Sequence, residues 1–394
     1  MMQCADAPEW EDVMKEYSFR LVDSRRHGIG NFPWADTKVD TRILVSVEDN
    51  RGGYTLYTDN LGDSWQERRE GTRPHMVEMP DKTLFGVGFS NVAIGHFDPS
   101  KQKKIPYLMK IMRAESMDAL LSGDIQVSFA QVEIPDLAVG YGDSQDPKEY
   151  HTGVTGQTVI VMPNGDLIVP MYGQFKADTT KLSYFQNYDF YQYRVWCVIS
   201  RDNGRSFSYL STVADVQTYP CDPEAEGYCE PDMLHLGNGH LLCVMRTQGH
   251  EVYSALYAAH SYDGGITWEP PKEICPYGVL PRLVRLSDGG ILCASGKWGT
   301  FFITSSDEGR TWAKPYAVSD NRGQWDRGPS GYVSVWETRP GEILLVWDET
   351  EDLESEDIKP GERRIVYMNR YQITADEALL SKESPRPDCG SAPV

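Results

Sequence analysis

Ser261-Tyr262-Asp263-Gly264-Gly265-Ile266-Thr267-Trp268 gives nearly every position a physical task. The Asp closes a tight turn through its own backbone and the Gly supplies a φ > 0 position. The hydroxyl residues tie the turn ends, and the aromatic ring packs into the core below. The same octet returns at residues 200–207 and 305–312, and in weaker form at 58–65, where Asn60 replaces the Asp. Its common form is S/T-x-D/N-x-G-x-S/T-aromatic, and an apolar strand-like run precedes each copy. One octet is chance; recurrence along a chain is the mark of a repeat architecture.

A second unit alternates with the first. Apolar runs flank polar turns at Asp81, Asn164-Gly165, Asn238-Gly239, Asp288-Gly289 and Pro340-Gly341, with a less regular copy from Phe32 through Asp40 to Val47. Such turns between apolar runs are strong local hairpin signals. Six hairpins, four of them followed by an octet, predict an all-β chain: one six-bladed β-propeller of four-stranded antiparallel blades. The blades fall near residues 30–70, 71–135, 150–213, 228–272, 278–317 and 328–375 of a single domain spanning 1–394. Residues 17–22 are expected to complete the last blade and close the ring. The best helix candidate is 375–382. A β-sandwich with Gly-rich turns does not account for the alternation.

Composition narrows the partners. A net charge of −20 repels nucleic acid and anionic membrane, so neither is an expected partner. No stretch near 18 apolar residues predicts a membrane span. Residues 1–10 are polar and acidic, unlike a signal peptide, so the protein is expected to be cytoplasmic or to have lost a leader. Cys197, Cys243 and Cys293 lie in apolar runs as small core residues, while Cys221 and Cys229 are spaced to pair in a secreted protein. No Cys or His spacing calls for a metal or an organic cofactor, and no acidic loop has EF-hand-like spacing for Ca²⁺.

In a blade, alternate turns lie on opposite faces, so the starts of first strands and the ends of second strands share one rim around the axis. Counting eight residues back from the hairpin turns puts Arg73, Gly156 with Gln157, Glu230 and Tyr332 there, and counting eight forward from Asn238 gives Arg246. Glu230 and Arg246 should face each other beside Tyr332, a candidate site.

The octets resemble the Asp boxes of the sialidase superfamily. The Glu230-Pro231-Asp232-Met233-Leu234 run with Arg246 looks like that family's segment bearing the catalytic Glu and one carboxylate-binding Arg. The Gly331-Tyr332-Val333-Ser334 run with Asp348-Glu349 is similar to the segment holding its catalytic Tyr. The resemblance implies Tyr332 as nucleophile, Glu230 as its proton acceptor, and an acid/base carboxylate after the second strand of blade one: Asp49, with Glu48 as substitute. Sialidases are an exception to the two-carboxylate scheme, since Tyr suits an anomeric carbon that carries a carboxylate.

The family's carboxylate clamp of three Arg is incomplete here. Asn31 and Lys297 stand at two of its positions, leaving Arg246, Lys297 and, from the next blade, Arg73 to hold an acidic sugar. Gln157 and Tyr172 are further expected substrate contacts. The aromatic-rich insertion at 173–193 is placed on the same face, as a sugar platform, a lid or a subunit interface. The expected activity is a retaining exo-glycosidase acting on a terminal acidic sugar. Alternatives are a lyase or other glycosidase on a uronic-acid- or rhamnose-containing glycan, the lyase using Tyr or using His75 or His151 with Glu230, and a non-catalytic glycan- or protein-binding propeller.

Overall fold

The computed structural model describes residues 17–29, 32–48, 52–88, 107–134, 154–155, 158–175, 177–178, 180, 192–222, 225–249, 255–296, 299–319, 330–350 and 364–374. They form an all-β chain. The N-terminal strand β1 (Ser18–Ile29) is followed by a four-stranded unit of β2 (Phe32–Val39), β3 (Arg42–Glu48), β4 (Tyr54–Thr58) and β5 (Gln66–Arg68). The second unit has β6 (Val77–Glu78), β7 (Leu84–Val87), β8 (Tyr107–Ala114), the short helix α1 (Met117–Ser122) and β9 (Gln126–Glu133). The third has β10 (Val154–Thr155), β11 (Ile160–Val161), β12 (Leu167–Gly173), β13 (Arg194–Ser200) and β14 (Ser206–Ala214). The fourth is β15 (Ala225–Gly237), β16 (His240–Gly249), β17 (Leu256–Ser261) and β18 (Lys272–Cys275), and the fifth is β19 (Arg282–Arg285), β20 (Ile291–Ser295), β21 (Phe301–Ser305) and β22 (Tyr316–Ala317). The last is β23 (Ser334–Arg339), β24 (Glu342–Thr350) and β25 (Arg364–Thr374), and β1 pairs antiparallel with β25 to give it a fourth strand.

One expectation needs correction. The second and third units are not separate four-stranded sheets but parts of one nine-stranded sheet. Their outer strands meet in parallel, Gln131–Glu133 against residues 206–208, where two edges with unpaired backbone groups satisfy each other. A second correction is α1, which was not expected; Ser116 caps its N-terminus and Gly123, at φ +80, its C-terminus. The candidate helix at 375–382 lies outside the described residues.

Strand alternation builds the core. On β16, Leu241, Cys243 and Met245 join a cluster with the third unit, while Leu242 and Val244 join one with the fifth. On β20, Ile291 and Cys293 face the fourth unit and Leu292 and Ala294 face the last. Both faces of these strands are thus buried, which is why they read as continuous apolar runs. The octet turns fold as their chemistry requires. Asp263 Oδ1 accepts from the N–H of Ile266 and Thr267 at 3.0 and 2.9 Å, and Gly265 donates to Ser261 Oγ at 2.8 Å. Cys221 and Cys229 are separate free thiols, so the pairing considered for them does not form.

Between the fourth and fifth units, His240 Nε2 and His260 Nδ1 lie 3.0 Å apart. Burial holds both imidazoles below their usual value; for His240 the neighbouring His260 adds to this and Glu308 opposes it. The unfolded chain therefore binds protons that the folded chain refuses, and stability falls as pH drops below about 6.5. The melting temperature is expected to decline between about pH 7 and 5, and a His240→Gln/His260→Gln double variant to show a flatter profile. An unchanged slope in that variant would place the acid sensitivity elsewhere.

Candidate functional site

The ladder between β15 and β16 is interrupted between Cys229 and Asp232, where Pro231 has no N–H to give. Glu230 sits in this interruption at φ +46, a left-handed conformation that costs a residue with a side chain about 1–3 kcal/mol. Bulges of this kind re-aim side chains. Glu230 is buried: its Oε1 accepts from Arg246 Nη2 at 2.7 Å and its Oε2 accepts from the N–H of Leu280 at 2.9 Å. Arg246 comes from the adjacent strand, in register with Cys229. Burial alone would lower its pKa, but Glu230 more than offsets this and the guanidinium stays charged.

Tyr332, half-buried ahead of β23, lies within electrostatic reach of both charges. Burial and then the Glu230 charge push its phenol up, Arg246 pulls it down, and the result is about 12. Glu48, exposed at the end of β3, adds to the rise. Tyr172, buried and edge-on to Tyr193 at 5.6 Å, has its pKa raised first by burial and then by Glu230. The Cys229 thiol is pushed up to about 12 by burial, against the pull of Arg246, so it is no nucleophile. A phenol from the last unit thus lies within electrostatic reach of a carboxylate–guanidinium pair from the fourth, whose carboxylate also accepts a backbone N–H from the fifth.

The family described as "BNR repeat-like domain" matches residues 40–292. The chain belongs to this family. Among solved structures, the BNR repeat-like chain is similar to a protein of unknown function from Dyadobacter fermentans, with TM-score 0.60 and 14% identity over 90% of this chain and 99% of that one. It is also similar to the Hadza microbial sialidase Hz136, with TM-score 0.50 and 12% identity over 88% of this chain and 65% of that one. The NanB sialidase of Streptococcus pneumoniae gives TM-score 0.50 and 11% identity over 89% and 70% of the two chains. A search of the curated proteins found no match. At these identities the likeness to the two sialidases is one of fold.

The BNR repeat-like fold brings Tyr332, Glu230, Arg246 and Tyr172 together and places Arg73 elsewhere. The Arg73 guanidinium donates to the carbonyls of Leu120 and Leu121, at 2.9 and 3.0 Å, and so ties down the C-terminal end of α1. As a substrate grip it is therefore set aside. Asp49, Gln157, Lys297, Asn31, His151 and most of the 173–193 insertion lie outside the described residues. His75 is turned to Asp36, with its Nδ1 on the Asp36 backbone oxygen and 3.3 Å from Oδ1.

One group escaped the sequence reading. Asp36 on β2, His75 ahead of β6, Thr158 ahead of β11, Asp232 on β15, Arg282 on β19 and Ser334 on β23 link the innermost strands. Arg282 Nη2 donates to both Asp36 oxygens at 3.0 and 2.9 Å, and Asp232 accepts the Thr158 hydroxyl and, at 2.7 Å, the N–H of Leu283. Glu230 and Asp232 both accept backbone N–H groups from the fifth unit, Glu230 from Leu280 and Asp232 from Leu283, and so stitch β15 to it.

Proposed function

We propose that the units close into a six-bladed propeller and that its mouth is the active site of an exo-glycosidase removing a terminal acidic sugar with retention. Apolar clusters shared by each successive pair of units, and by the last with the first, support the ring. The gathering of Tyr332, Glu230 and Arg246 carries the enzymatic reading. At about 12, the phenol does not ionise by itself at neutral pH. It attacks the anomeric carbon as its proton passes to Glu230. The bond to the leaving oxygen breaks, and that oxygen takes a proton from Asp49 or Glu48. Water, deprotonated by the same carboxylate, then opens the tyrosyl glycoside, and Glu230 returns its proton to the phenol. Arg246, the guanidinium that holds Glu230, is the positive charge here that a sugar carboxylate would meet. His75, one of the bases considered for an elimination, is engaged with Asp36.

The test is a panel of aryl glycosides of sialic and uronic acids. Tyr332→Phe is expected to lower kcat by about 10² or more, with little change in KM. Equal rates for the two proteins would remove Tyr332 from the mechanism, and an unsaturated product in place of a hydrolysed one would point to a lyase.

A further inference from the structure

Tyr332 stands on a segment that precedes the first ladder pair of β23, Ser334 with Val346. Two contacts hold that segment. Asp348 on β24 has no exposed surface, and both of its carboxylate oxygens are turned on Ser330. Oδ2 accepts the Ser330 N–H at 3.0 Å, and Oδ1 accepts the Ser330 hydroxyl in a short hydrogen bond. Ser330 Oγ in turn accepts the N–H of Tyr332 at 3.1 Å. From the neighbouring unit, the backbone at Gly296 lies hard against Gly331. A Cβ on Gly296 would fall 2.1 Å from Gly331 Cα, and Gly331 itself holds φ +87.

We infer that Asp348, Ser330 and Gly296 are positioning residues that set the Tyr332 phenol against Glu230, an inference resting on the glycosidase reading above. A carboxylate is costly to bury, and apolar side chains would close a loop at least as stably. Spending one on both polar groups of a single loop residue makes sense where the next residue but one must be aimed. The Gly296 contact adds a hard stop: the carrier of the phenol can relax neither away from β24 nor into the fifth unit.

The test uses Ser330→Ala, Ser330→Thr and Gly296→Ala in the full chain, with the aryl glycoside that the wild type cleaves best. Misplacement by about 1 Å costs about 10²-fold in rate. Ser330→Ala is therefore expected to lower kcat about 10- to 100-fold with KM nearly unchanged. Ser330→Thr, which restores the hydroxyl, should recover most of the loss, and Gly296→Ala should match or exceed it. A purely structural role would shift melting temperatures while kcat per folded molecule held, and that result overturns the proposal. If the wild type cleaves no glycoside, the glycosidase reading fails by itself, and crystal structures decide the clamp. A phenol displaced by about 1 Å in Ser330→Ala supports it; superposed phenols sink it.

Discussion

Arg246→Met is expected to destabilise the protein by about 3–5 kcal/mol, because it strands the Glu230 charge in the interior. Glu230 and Arg246 are each 7% exposed, so water cannot replace the lost partner. The Leu280 N–H would remain on Oε2, but one neutral donor does not neutralise a carboxylate. Adding Glu230→Gln should return most of the stability, since Gln keeps an acceptor for Leu280 and carries no charge. Activity should not return with it. Urea unfolding of the wild type, both single variants and the double variant closes a cycle that isolates the pair. A cost below about 1 kcal/mol for Arg246→Met would show the pair to be solvated like a surface bridge, and the buried-site description would fall with it. Stability restored without activity would separate the fold's need for neutrality here from the reaction's need for the ions themselves.

What was legible in the sequence was what is local. The octet around Asp263 carries its donors, acceptors and positive-φ Gly265 within eight residues, so its turn could be read without the rest of the chain. Glu230 and Arg246 are reached by counting from the Asn238 turn, and they meet although the register slips between His235 and Gly237 and again between Cys229 and Asp232, which leaves Arg246 paired with Cys229. The joining of β9 to β14 had no such signal, as it depends on two distant edges meeting in space. Arg73 shows how counting goes wrong: the slot was plausible, but its partners are the carbonyls closing α1. The cues for that helix, Ser116 before it, Asp118 in its first turn and Gly123 after it, are those of a helix of six residues, too short to show periodicity. The Asp36 network was out of reach altogether, since each strand gives one residue and only the assembled chain makes them neighbours.

That network yields the second large effect. Asp36→Asn is expected to cost about 2–5 kcal/mol at neutral pH, and the cost should shrink in acid. Burial pushes the Asp36 carboxyl up, but the Arg282 charge, then His75 and Ser334, outweigh it and bring the pKa from 3.8 to about 2. A folded pKa below the unfolded one means that the unfolded chain takes up the proton first. The stabilisation is therefore whole above about pH 4 and is lost as pH falls toward 2. A gap of nearly two units corresponds to about 2–3 kcal/mol. The His240–His260 pair acts in a higher window, between about pH 7 and 5, so the two contributions separate along one titration. Denaturant unfolding of wild type and Asp36→Asn from pH 5 downward should show the two curves converging. If their difference stayed constant across that window, the Asp36 carboxylate would not be what ties β2 to β19, and Arg282 would owe its place to Asp232, the other carboxylate whose charge acts on it.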